Sequence, residues 1–381
     1  MEVAEYRNGK AHENEINDDG EYIVVNSKFV STNGEIRKFS YAQNEPLYEN
    51  EIAFVLSDVP NGRAIARTFL VDKSGKYTLN QRIAGITPHE DTDPYYLYIK
   101  MNRNEYFLKF DDGNKQTNLS IKDVLNYEDM YPSYKEQQKI GMYFQQLDHI
   151  ITLHQRKCDE TKKLKKFMLQ KMFPKKDAKK PEIRFVGFTN DWEQRKLGDW
   201  GDFYYGRSCP KWSVTEDATI PCIRYGELYT KFGAKIDRVY SYTNMPPENL
   251  RFSKGTEVLI PRVGEDPMDY NHCTWLSMKD VAIGEMISVF NTDNNPLFTA
   301  TMFNATLQNE FAMRVEGGSV TNLYFEKLKN IDVSFPSIRE QEMIAAYFEN
   351  IDNLITLHQR KCDELKEFKK YMLQNMFPQK G

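Results

Sequence analysis

The sequence predicts an α+β protein in which two mixed α/β domains are separated by two long helices that pair as an antiparallel coiled coil. The decapeptide ITLHQRKCDE occurs at residues 151–160 and again at 355–364, and the ungapped alignment of residues 131–174 with 335–378 has 27 identities in 44 positions. Apolar side chains in both copies recur at spacings of three and four, which is typical of a helix with one apolar face. The remaining segments contain short β-like runs separated by Gly, Asn and Pro. A duplicated helical scaffold therefore carries two dissimilar domains.

Five segments follow from this pattern. The first mixed domain is predicted at residues 1–130, the first helical region at 131–174, a charged linker at 175–181, the second mixed domain at 182–334 and the second helical region at 335–378. The two mixed domains align weakly with each other, but residues 181–198 have no counterpart before Met1. We therefore expect the first domain to lack its first element.

Each helical region opens with the pattern S-x-x-E, at Ser133 and at Ser337, which is typical of a capping box. Gly141 and Asp148 are candidates for a break after the first few turns. The apolar positions expected at the interface of the helix pair are Ile140, Phe144, Leu147, Ile151, Ile344, Phe348, Ile351 and Ile355. Each stripe is narrow compared with the polar remainder of the helix, which favours pairing of one copy with the other.

Composition indicates an ordinary soluble protein. There is no apolar run long enough to span a membrane and the first residues do not resemble a signal peptide, so we expect a cytoplasmic protein without membrane contact. Five scattered cysteines favour reduced thiols over a disulfide framework. Residues 1–130 contain 15 Lys and Arg against 22 Asp and Glu, and residues 181–334 contain 16 against 21. Charge alone would therefore not nominate either domain as a nucleic-acid binder.

The repeated decapeptide contains a histidine and a cysteine four residues apart, His154 with Cys158 and His358 with Cys362. Antiparallel pairing could bring all four together as a zinc site. The alternative is that the cysteines are small core residues beside hydrogen-bonded histidines, which is the commoner arrangement, and we predict no metal. A lysine-rich face on the first helix could similarly meet phosphates or an acidic partner, or simply be solvated.

The chain resembles the specificity (S) subunit of type I restriction-modification enzymes over essentially its whole length. The resemblance is carried by PS-x-x-EQ, the doubled ITLHQRKC helices, F-x-GF-T-x-DW-x-x-x-KLG at residues 185–198 and YTLNQRI at 77–83. It implies that the mixed domains are target-recognition domains, each reading one half of a split, asymmetric double-stranded DNA site. It further implies that the helices are conserved regions that hold the readers apart and dock two modification (methyltransferase) subunits, with restriction (ATP-dependent translocase and endonuclease) subunits added for cleavage.

No catalysis is expected from this chain alone. Asp93-Pro94-Tyr95-Tyr96 and Asn295-Pro296-Leu297-Phe298 each lack the second proline of an amino-methyltransferase motif, and no nucleotide-binding loop is present. The resemblance places S-adenosylmethionine, ATP and magnesium on the partner subunits, so no cofactor is expected in this chain.

Candidates for DNA contact are basic, amide and aromatic residues that stand beside predicted strands, because Arg and Lys suit guanine edges and Asn and Gln suit adenine. In the first domain these are Arg7, Asn8, Lys10, Ser27, Lys28, Arg63, Arg67, Asn80, Gln81 and Arg82. In the second domain they are Arg207, Lys211, Trp212, Arg224, Tyr225 and Arg262. Each could instead have a structural partner.

A rival interpretation comes from the short first domain. A chain whose first reader is incomplete would act as a truncated or non-recognising scaffold, binding modification subunits without full recognition of a bipartite DNA site. Sequence-selective DNA binding would distinguish the two interpretations.

Overall fold

The computed structural model describes residues 2–59, 62–176 and 178–377, which divide into two compact units. Unit 1 comprises Met1–Gln155 and Arg360–Gly381, and unit 2 comprises Arg156–Gln359. Both divisions fall inside the long helices, immediately after Gln155 and Gln359, which are equivalent residues of the repeat. Each unit therefore contains one mixed domain and one end of each helix.

The mixed domain of unit 1, hereafter domain 1, is built around an antiparallel sheet in the order β1-β8-β4-β6, beside a smaller sheet in the order β3-β2-β7 and the pair β5-β9. Its strands are β1 (Ala4–Asn8), β2 (Tyr22–Val25), β3 (Phe39–Ser40), β4 (Ile52–Val55), β5 (Ser57–Asp58), β6 (Thr68–Leu70), β7 (Tyr77–Leu79), β8 (Ile83–Pro88) and β9 (Thr117–Asn118). Its helices are α1 (Ser27–Ser31), α2 (Pro94–Met101), α3 (Glu105–Leu108) and α4 (Ile121–Leu125). The apolar strands β4 and β8 are fully buried at their centres, which places the core on both faces of the larger sheet.

The first long helix, α5 (Tyr134–Lys171), follows domain 1 and runs without interruption for 38 residues. The break expected near Gly141 and Asp148 is wrong. Gly141 instead allows α5 to approach the start of α2 closely. An added Cβ would lie 2.4 Å from Oδ1 of Asp93, the residue that caps α2.

The mixed domain of unit 2, hereafter domain 2, repeats this plan with sheets β11-β20-β16-β18-β13 and β14-β12-β19-β15, and with β17-β22-β21 and β10-β23 at its margins. Its strands are β10 (Glu193–Lys196), β11 (Asp202–Tyr205), β12 (Ile220–Ile223), β13 (Lys235–Ile236), β14 (Ser241–Thr243), β15 (Phe252–Lys254), β16 (Glu257–Pro261), β17 (Val263–Gly264), β18 (Thr274–Leu276), β19 (Lys279–Ile283), β20 (Ile287–Asn291), β21 (Glu316–Gly317), β22 (Thr321–Asn322) and β23 (Asp332–Phe335). Its helices are α6 (Tyr225–Thr230), α7 (Pro296–Thr306), α8 (Gln308–Ala312) and α9 (Phe325–Leu328). Single 3-10 turns lie at Leu197–Asp199, Lys211–Ser213, Pro247–Asn249 and Pro267–Asp269. The second long helix, α10 (Ile338–Met376), follows domain 2 and has 39 residues.

Within unit 1, the start of α5 packs against the end of α10 in antiparallel fashion. Lys369 Nζ lies 2.6 Å and 2.7 Å from the two carboxylate oxygens of Asp148. The Phe144 and Phe377 rings stack with centroids 6.2 Å apart. The lower-numbered residue of α5 meets the higher-numbered residue at the end of α10, so the two segments run in opposite directions.

Unit 2 contains the equivalent contacts with the roles of the helices exchanged. Lys165 Nζ lies 2.6 Å from Asp352 Oδ1, and the Phe173 and Phe348 rings stack at 5.9 Å. Each contact is the one seen in unit 1 with 204 residues added to one partner and subtracted from the other. The near identity of the two copies follows from this exchange, because each residue type must fit the same surroundings twice.

A glutamine in each PS-x-x-EQ motif fastens its helix to the neighbouring domain. Gln137 Oε1 accepts from the backbone N–H of Asp93, and Gln341 Oε1 accepts from that of Asn295. Asp93 and Asn295 are the N-caps of α2 and α7, each followed by a proline at the first helical position. The two near-matches to a methyltransferase motif are therefore helix starts.

The glutamate of the second motif does not form the predicted capping interaction. Glu340 is fully buried, and its two carboxylate oxygens accept from Nε and Nη2 of Arg184 at 2.6 Å and 2.7 Å. Arg184 belongs to residues 181–198, a segment that also supplies β10 to pair with β23 and Trp192 to the core. This segment therefore ties domain 2 to the start of α10.

In unit 1, a lysine of domain 1 lies near the two rings that correspond to the neighbours of Trp192. In domain 2 the Trp192 ring packs against both Phe173 and Phe298. The residues equivalent to these two rings are Phe377 and Tyr96, and the Lys100 ammonium lies 5.3 Å and 5.8 Å from their centroids. The ammonium is compensated by Asp129 Oδ2 at 2.9 Å.

Candidate nucleic-acid interface

In domain 1, the ends of several strands converge at one edge. β2 and β7 are parallel, with Val25 beside Leu79, so the residues that follow them emerge together. β4 is antiparallel to β8, with Val55 opposite Ile83, so the hairpin after β4 lies at the start of β8. We call this edge the first rim and define it as residues 8–10, 26–28, 80–82 and the described residues between β4 and β6, 56–59 and 62–67.

The first rim brings together candidates that are up to 74 residues apart in sequence. Lys10 pairs with Asn80 in an isolated bridge, and the Asn80 N–H donates to Val25 O at 3.1 Å. The predicted residues on this rim are Asn8, Lys10, Ser27, Lys28, Arg63, Arg67, Asn80, Gln81 and Arg82. Most of them are exposed, so the rim is a polar and locally basic surface on an acidic domain.

Arg7 differs from its neighbours because its side chain turns into the domain. Its guanidinium forms ion pairs with Glu45 and Glu51 and donates to Pro46 O at 2.7 Å. These bonds neutralise Glu51, which is only 4% exposed. The structure thus gives Arg7 a structural role, and we leave it out of the proposed DNA surface.

Domain 2 presents an equivalent edge. β11, β12 and β16 all end where β20 begins, with Tyr205 opposite Ser288 and Pro261 opposite Ile287. β12 is parallel to β19, so Arg224 emerges beside the turn at residues 284–286. We call this edge the second rim and define it as residues 206–212, 224–225, 262 and 284–286.

All six predicted residues of domain 2 lie on the second rim. Arg207, Lys211 and Tyr225 are exposed, and Trp212 has 72% of its surface open to solvent. Arg224 and Arg262 are half-buried at the base of the rim. An exposed tryptophan beside a lysine suits contact with bases or sugars, since aromatic faces are costly to leave in water.

Both rims depend on a glycine at the same place. The N–H groups of Gly9 and Gly206 donate to Ile83 O and Ile287 O, each at 3.0 Å. A Cβ at Gly9 would lie 2.0 Å from Asn80 O, and one at Gly206 would lie 2.0 Å from Gly284 O. Only glycine permits this approach of two backbones, so both residues fix the shape of their rims.

One basic and aromatic cluster was missed by sequence reasoning. Lys231 and Arg238 lie 5.8 Å and 5.6 Å from the Tyr240 ring, and all three side chains are exposed. The cluster follows α6, which itself starts on the second rim. The interleaving of basic and aromatic residues in KFGAKIDRVY was the signal that could have identified it.

The predicted helix-pair residues lie at buried positions of their own units. In unit 1 they pack with the end of α10 and with α2, and in unit 2 with the end of α5 and with α7. In unit 1 they are Ile140, Phe144, Leu147 and the partly buried Ile151, and in unit 2 they are Ile344, Phe348, Ile351 and the partly buried Ile355.

The repeated cysteines are fully buried in the helix pair. Cys158 Sγ lies 3.7 Å from Gln359 Oε1 in unit 2, and Cys362 Sγ lies 3.5 Å from Gln155 Oε1 in unit 1. Within residues 2–59, 62–176 and 178–377, no group of three or more His, Cys, Asp or Glu side chains is placed to hold a metal ion. The geometry fits the core interpretation of these thiols.

Comparison with known proteins identifies the family. The model of the type I restriction modification DNA specificity domain matches residues 1–163 and 189–367. The chain belongs to this family. Its two mixed domains are thus target-recognition domains, and the family is the DNA-recognition part of the system rather than a catalytic one.

Curated relatives carry the same description. The specificity subunit of type I restriction enzyme MjaVIII from Methanocaldococcus jannaschii is 22% identical over 74% of this chain and 68% of its own length. The putative MjaX specificity subunit from the same organism is 24% identical over 74% of this chain and 66% of its own length. This specificity chain therefore spans about two thirds of the length of these relatives.

A solved structure shows the same fold. The type I S subunit from M. genitalium superposes with a TM-score of 0.67 at 14% identity, covering 100% of this chain and 95% of that one. In this specificity chain, no helix among the described residues has the length and apolarity needed to cross a membrane.

Proposed function

We propose that this chain is the DNA sequence-specificity subunit of a type I restriction-modification complex and reads an asymmetric, bipartite site. The observation that carries the proposal is the pair of equivalent rims. Both rims are built from the same strand ends and the same close-approach glycine, yet they carry different side chains. Equivalent positions with different donors and acceptors would read different bases, so the two half-sites would differ.

The long helices would act as the spacer between the two readers. An uninterrupted helix of 38 residues rises about 57 Å at about 1.5 Å per residue. Within each unit, the stacked phenylalanine rings and the partly buried Lys–Asp ion pair resist sliding of one helix against the other. The number of base pairs between half-sites would then be set by the helices and not by the rims.

Acidic recognition domains are compatible with DNA binding if partner subunits neutralise part of the phosphate charge. Base contacts would come from the rims, while modification subunits would add phosphate contacts. S-adenosylmethionine, ATP and magnesium would belong to the modification and restriction subunits.

Exposed apolar residues of the helix pair offer a docking face for modification subunits. In unit 2, Leu164 and Phe167 of α5 and Leu354 and Leu357 of α10 are each 44–48% exposed. Leu164 precedes the contact residue Lys165 by one position, and Leu354 precedes Ile355 by one, so the antiparallel pair presents both on the same face. An amphipathic helix of a partner would complete a bundle there.

Unit 1 has the equivalent exposed residues, among them Ile150, Phe368 and Tyr371. Two equivalent faces on one chain favour two copies of the modification subunit. Phe167→Glu should remove one copy and leave a complex with a single modification subunit. Tyr371→Glu, the equivalent change in unit 1, should remove the other copy, and the double variant both. Native mass spectrometry would measure the stoichiometry, and unchanged occupancy in all three variants would overturn this docking face.

DNA recognition is tested with the chain bound to its modification subunit. Selection from a randomised duplex library should enrich one bipartite sequence, and the same sequence should appear as the methylated site in cells that express the pair. Salt-sensitive binding without sequence preference would instead support the scaffold interpretation.

The spacer role has a separate test. Inserting four residues into both α5 and α10 lengthens the pair by about 6 Å, close to two base-pair steps of about 3.4 Å. The gap between half-sites should grow while both half-site sequences stay the same. A change in the half-sites themselves would refute the spacer.

A further inference from the structure

Backbone hydrogen bonds establish which residues of the two rims are equivalent. In domain 1, the Leu56 N–H donates to Arg82 O at 3.1 Å and the Leu119 N–H donates to Leu56 O at 2.8 Å. In domain 2, the Arg262 N–H donates to Met286 O at 3.2 Å and the Leu323 N–H donates to Arg262 O at 2.8 Å. Leu56 therefore corresponds to Arg262, and Arg82 corresponds to Met286.

The equivalence shows that each rim has one arginine at this pair of positions, but at opposite members of the pair. We call this exchange the transposition. Domain 2 has Arg262 directly after β16 and Met286 on the opposite turn, whereas domain 1 has Leu56 directly after β4 and Arg82 on the turn. Each rim thus has one arginine and one apolar side chain at the same pair of hydrogen-bonded positions. The arginine is supplied from opposite sides in the two domains.

We infer that Arg82 and Arg262 are the specificity-determining residues of their rims, each reading a guanine in its own half-site. This inference rests on the proposed function, because it names the readers of the DNA surface proposed above. Guanine presents O6 and N7 in the major groove at a spacing that a guanidinium can bind through two donors.

The surroundings of Arg262 point to a ligand that is not part of the domain. Its Nη2 lies 2.9 Å from the thioether sulfur of Met286, its guanidinium lies 4.9 Å from the Tyr205 ring, and its buried Nε has no hydrogen-bond partner among the described residues. By contrast, Arg184 and Arg314 each bind a carboxylate. A half-buried cation with only a thioether and a ring still requires acceptors.

Tyr205 and Glu326 act as positioning residues for Arg262. The Tyr205 hydroxyl donates to Glu326 Oε2 at 2.7 Å, which fixes the ring over which the guanidinium lies. The attraction between a guanidinium and an aromatic face restricts where the cation lies, and so restricts where its donors can meet a base.

Arg82 is the more open of the two arginines. It is exposed, and its side chain has no hydrogen bond or ion pair among the described residues. Asn8 takes the place of Tyr205 on the neighbouring strand, since Asn8 is opposite Ala84 and Tyr205 is opposite Ser288. We expect the first half-site to tolerate alternatives to guanine more readily, because Arg82 has no ring to hold it.

The transposition itself supplies the experiment. Arg262→Leu in the chain bound to its modification subunit should lower the preference for guanine at one position of the second half-site by about 5- to 150-fold. The double variant Arg262→Leu with Met286→Arg reproduces the arrangement of domain 1 and should restore a guanine preference in that half-site. Selection from a randomised duplex library reads both outcomes, and the first half-site should be unaffected.

The reciprocal variant is Arg82→Met with Leu56→Arg. It should leave the second half-site unchanged and retain a guanine preference in the first, whereas Arg82→Met alone should lose that preference. Arg195→Leu is the matched control, because Arg195 precedes β11 at the end away from the rim and binds only Glu193 and the Trp200 ring among the described residues. Circular dichroism melting of every variant checks that the fold is retained.

The outcomes separate this inference from the proposed function. A wild-type chain that selects no bipartite sequence refutes the proposed function. A wild-type chain that selects one, together with an Arg262→Leu variant that keeps the same sequence, refutes the reading role of Arg262. Uniform weakening across all sequences would show a phosphate contact and overturn the inference as well.

Discussion

The buried ion pair between Arg184 and Glu340 gives a test of how the segment 181–198 is held. Replacing Glu340 with Gln keeps the size of the side chain and removes the negative charge. Arg184 is 13% exposed at its side chain and Glu340 is 1% exposed, so solvent screens the pair weakly. The hydrogen bonds to Glu340 raise the pKa of Arg184. The guanidinium stays charged even without this partner, because arginine is not deprotonated in proteins.

The expected loss follows from leaving a buried cation without its counter-ion. Removing one partner of such a pair costs about 3–5 kcal/mol of unfolding free energy. With an m-value of about 2 kcal/mol per molar urea, the unfolding midpoint of unit 2 should fall by about 1.5–2.5 M.

The distribution of tryptophans makes the measurement specific to one unit. All four tryptophans lie in unit 2, and Trp192 belongs to the segment that Arg184 anchors. Tryptophan emission during urea unfolding therefore reports unit 2, while circular dichroism reports the helices of both units.

The repeat supplies the control. Glu136 is the equivalent of Glu340 in the first copy, but it is exposed and has no ion pair among the described residues. Glu136→Gln should change the free energy of unfolding by less than about 0.5 kcal/mol. If Glu340→Gln left tryptophan emission unchanged, or if the two variants behaved alike, the anchoring role of Arg184 would be wrong.

Two further predictions concern the rims and domain 1. Gly206→Ala should displace the second rim from Gly284 and reduce selection of the second half-site, whereas Gly226→Ala, which meets no atom within 4 Å, should not; equal effects would contradict the close-approach argument. Burial tends to raise the pKa of Asp129, but hydrogen bonds from Lys100 and a tyrosine outweigh it and hold the pKa below its usual value. Since a depressed pKa stabilises the fold only above the unfolded value, domain 1 should lose stability as pH falls below about 4. Urea unfolding at pH 5 and pH 3 measures this loss, and an Asp129→Asn variant with the same pH dependence would refute the assignment.

Much of the helical scaffold could be predicted from the sequence, because a repeat that fits two equivalent surroundings must preserve its own contact residues. Apolar side chains that recur every three or four residues, such as Ile140, Phe144 and Leu147, indicated the buried face of each helix. The rim residues were also predictable as a class, since polar and basic side chains that follow apolar strands emerge at strand ends. Asn80, Gln81 and Arg82 were identified in this way.

The tertiary structure decided which of these residues are available for DNA. Arg7 and Arg82 look alike in the sequence, yet Arg7 is neutralised by glutamates some 40 residues away and Arg82 is not. The equivalence of Leu56 with Arg262 depends on strand register, which insertions between the two domains had obscured. Charge compensation and register are set by neighbours that are distant along the chain. A sequence read locally therefore determines the helices and the kinds of residue at the rims, and only the fold determines which arginine faces the solvent with its donors unpaired.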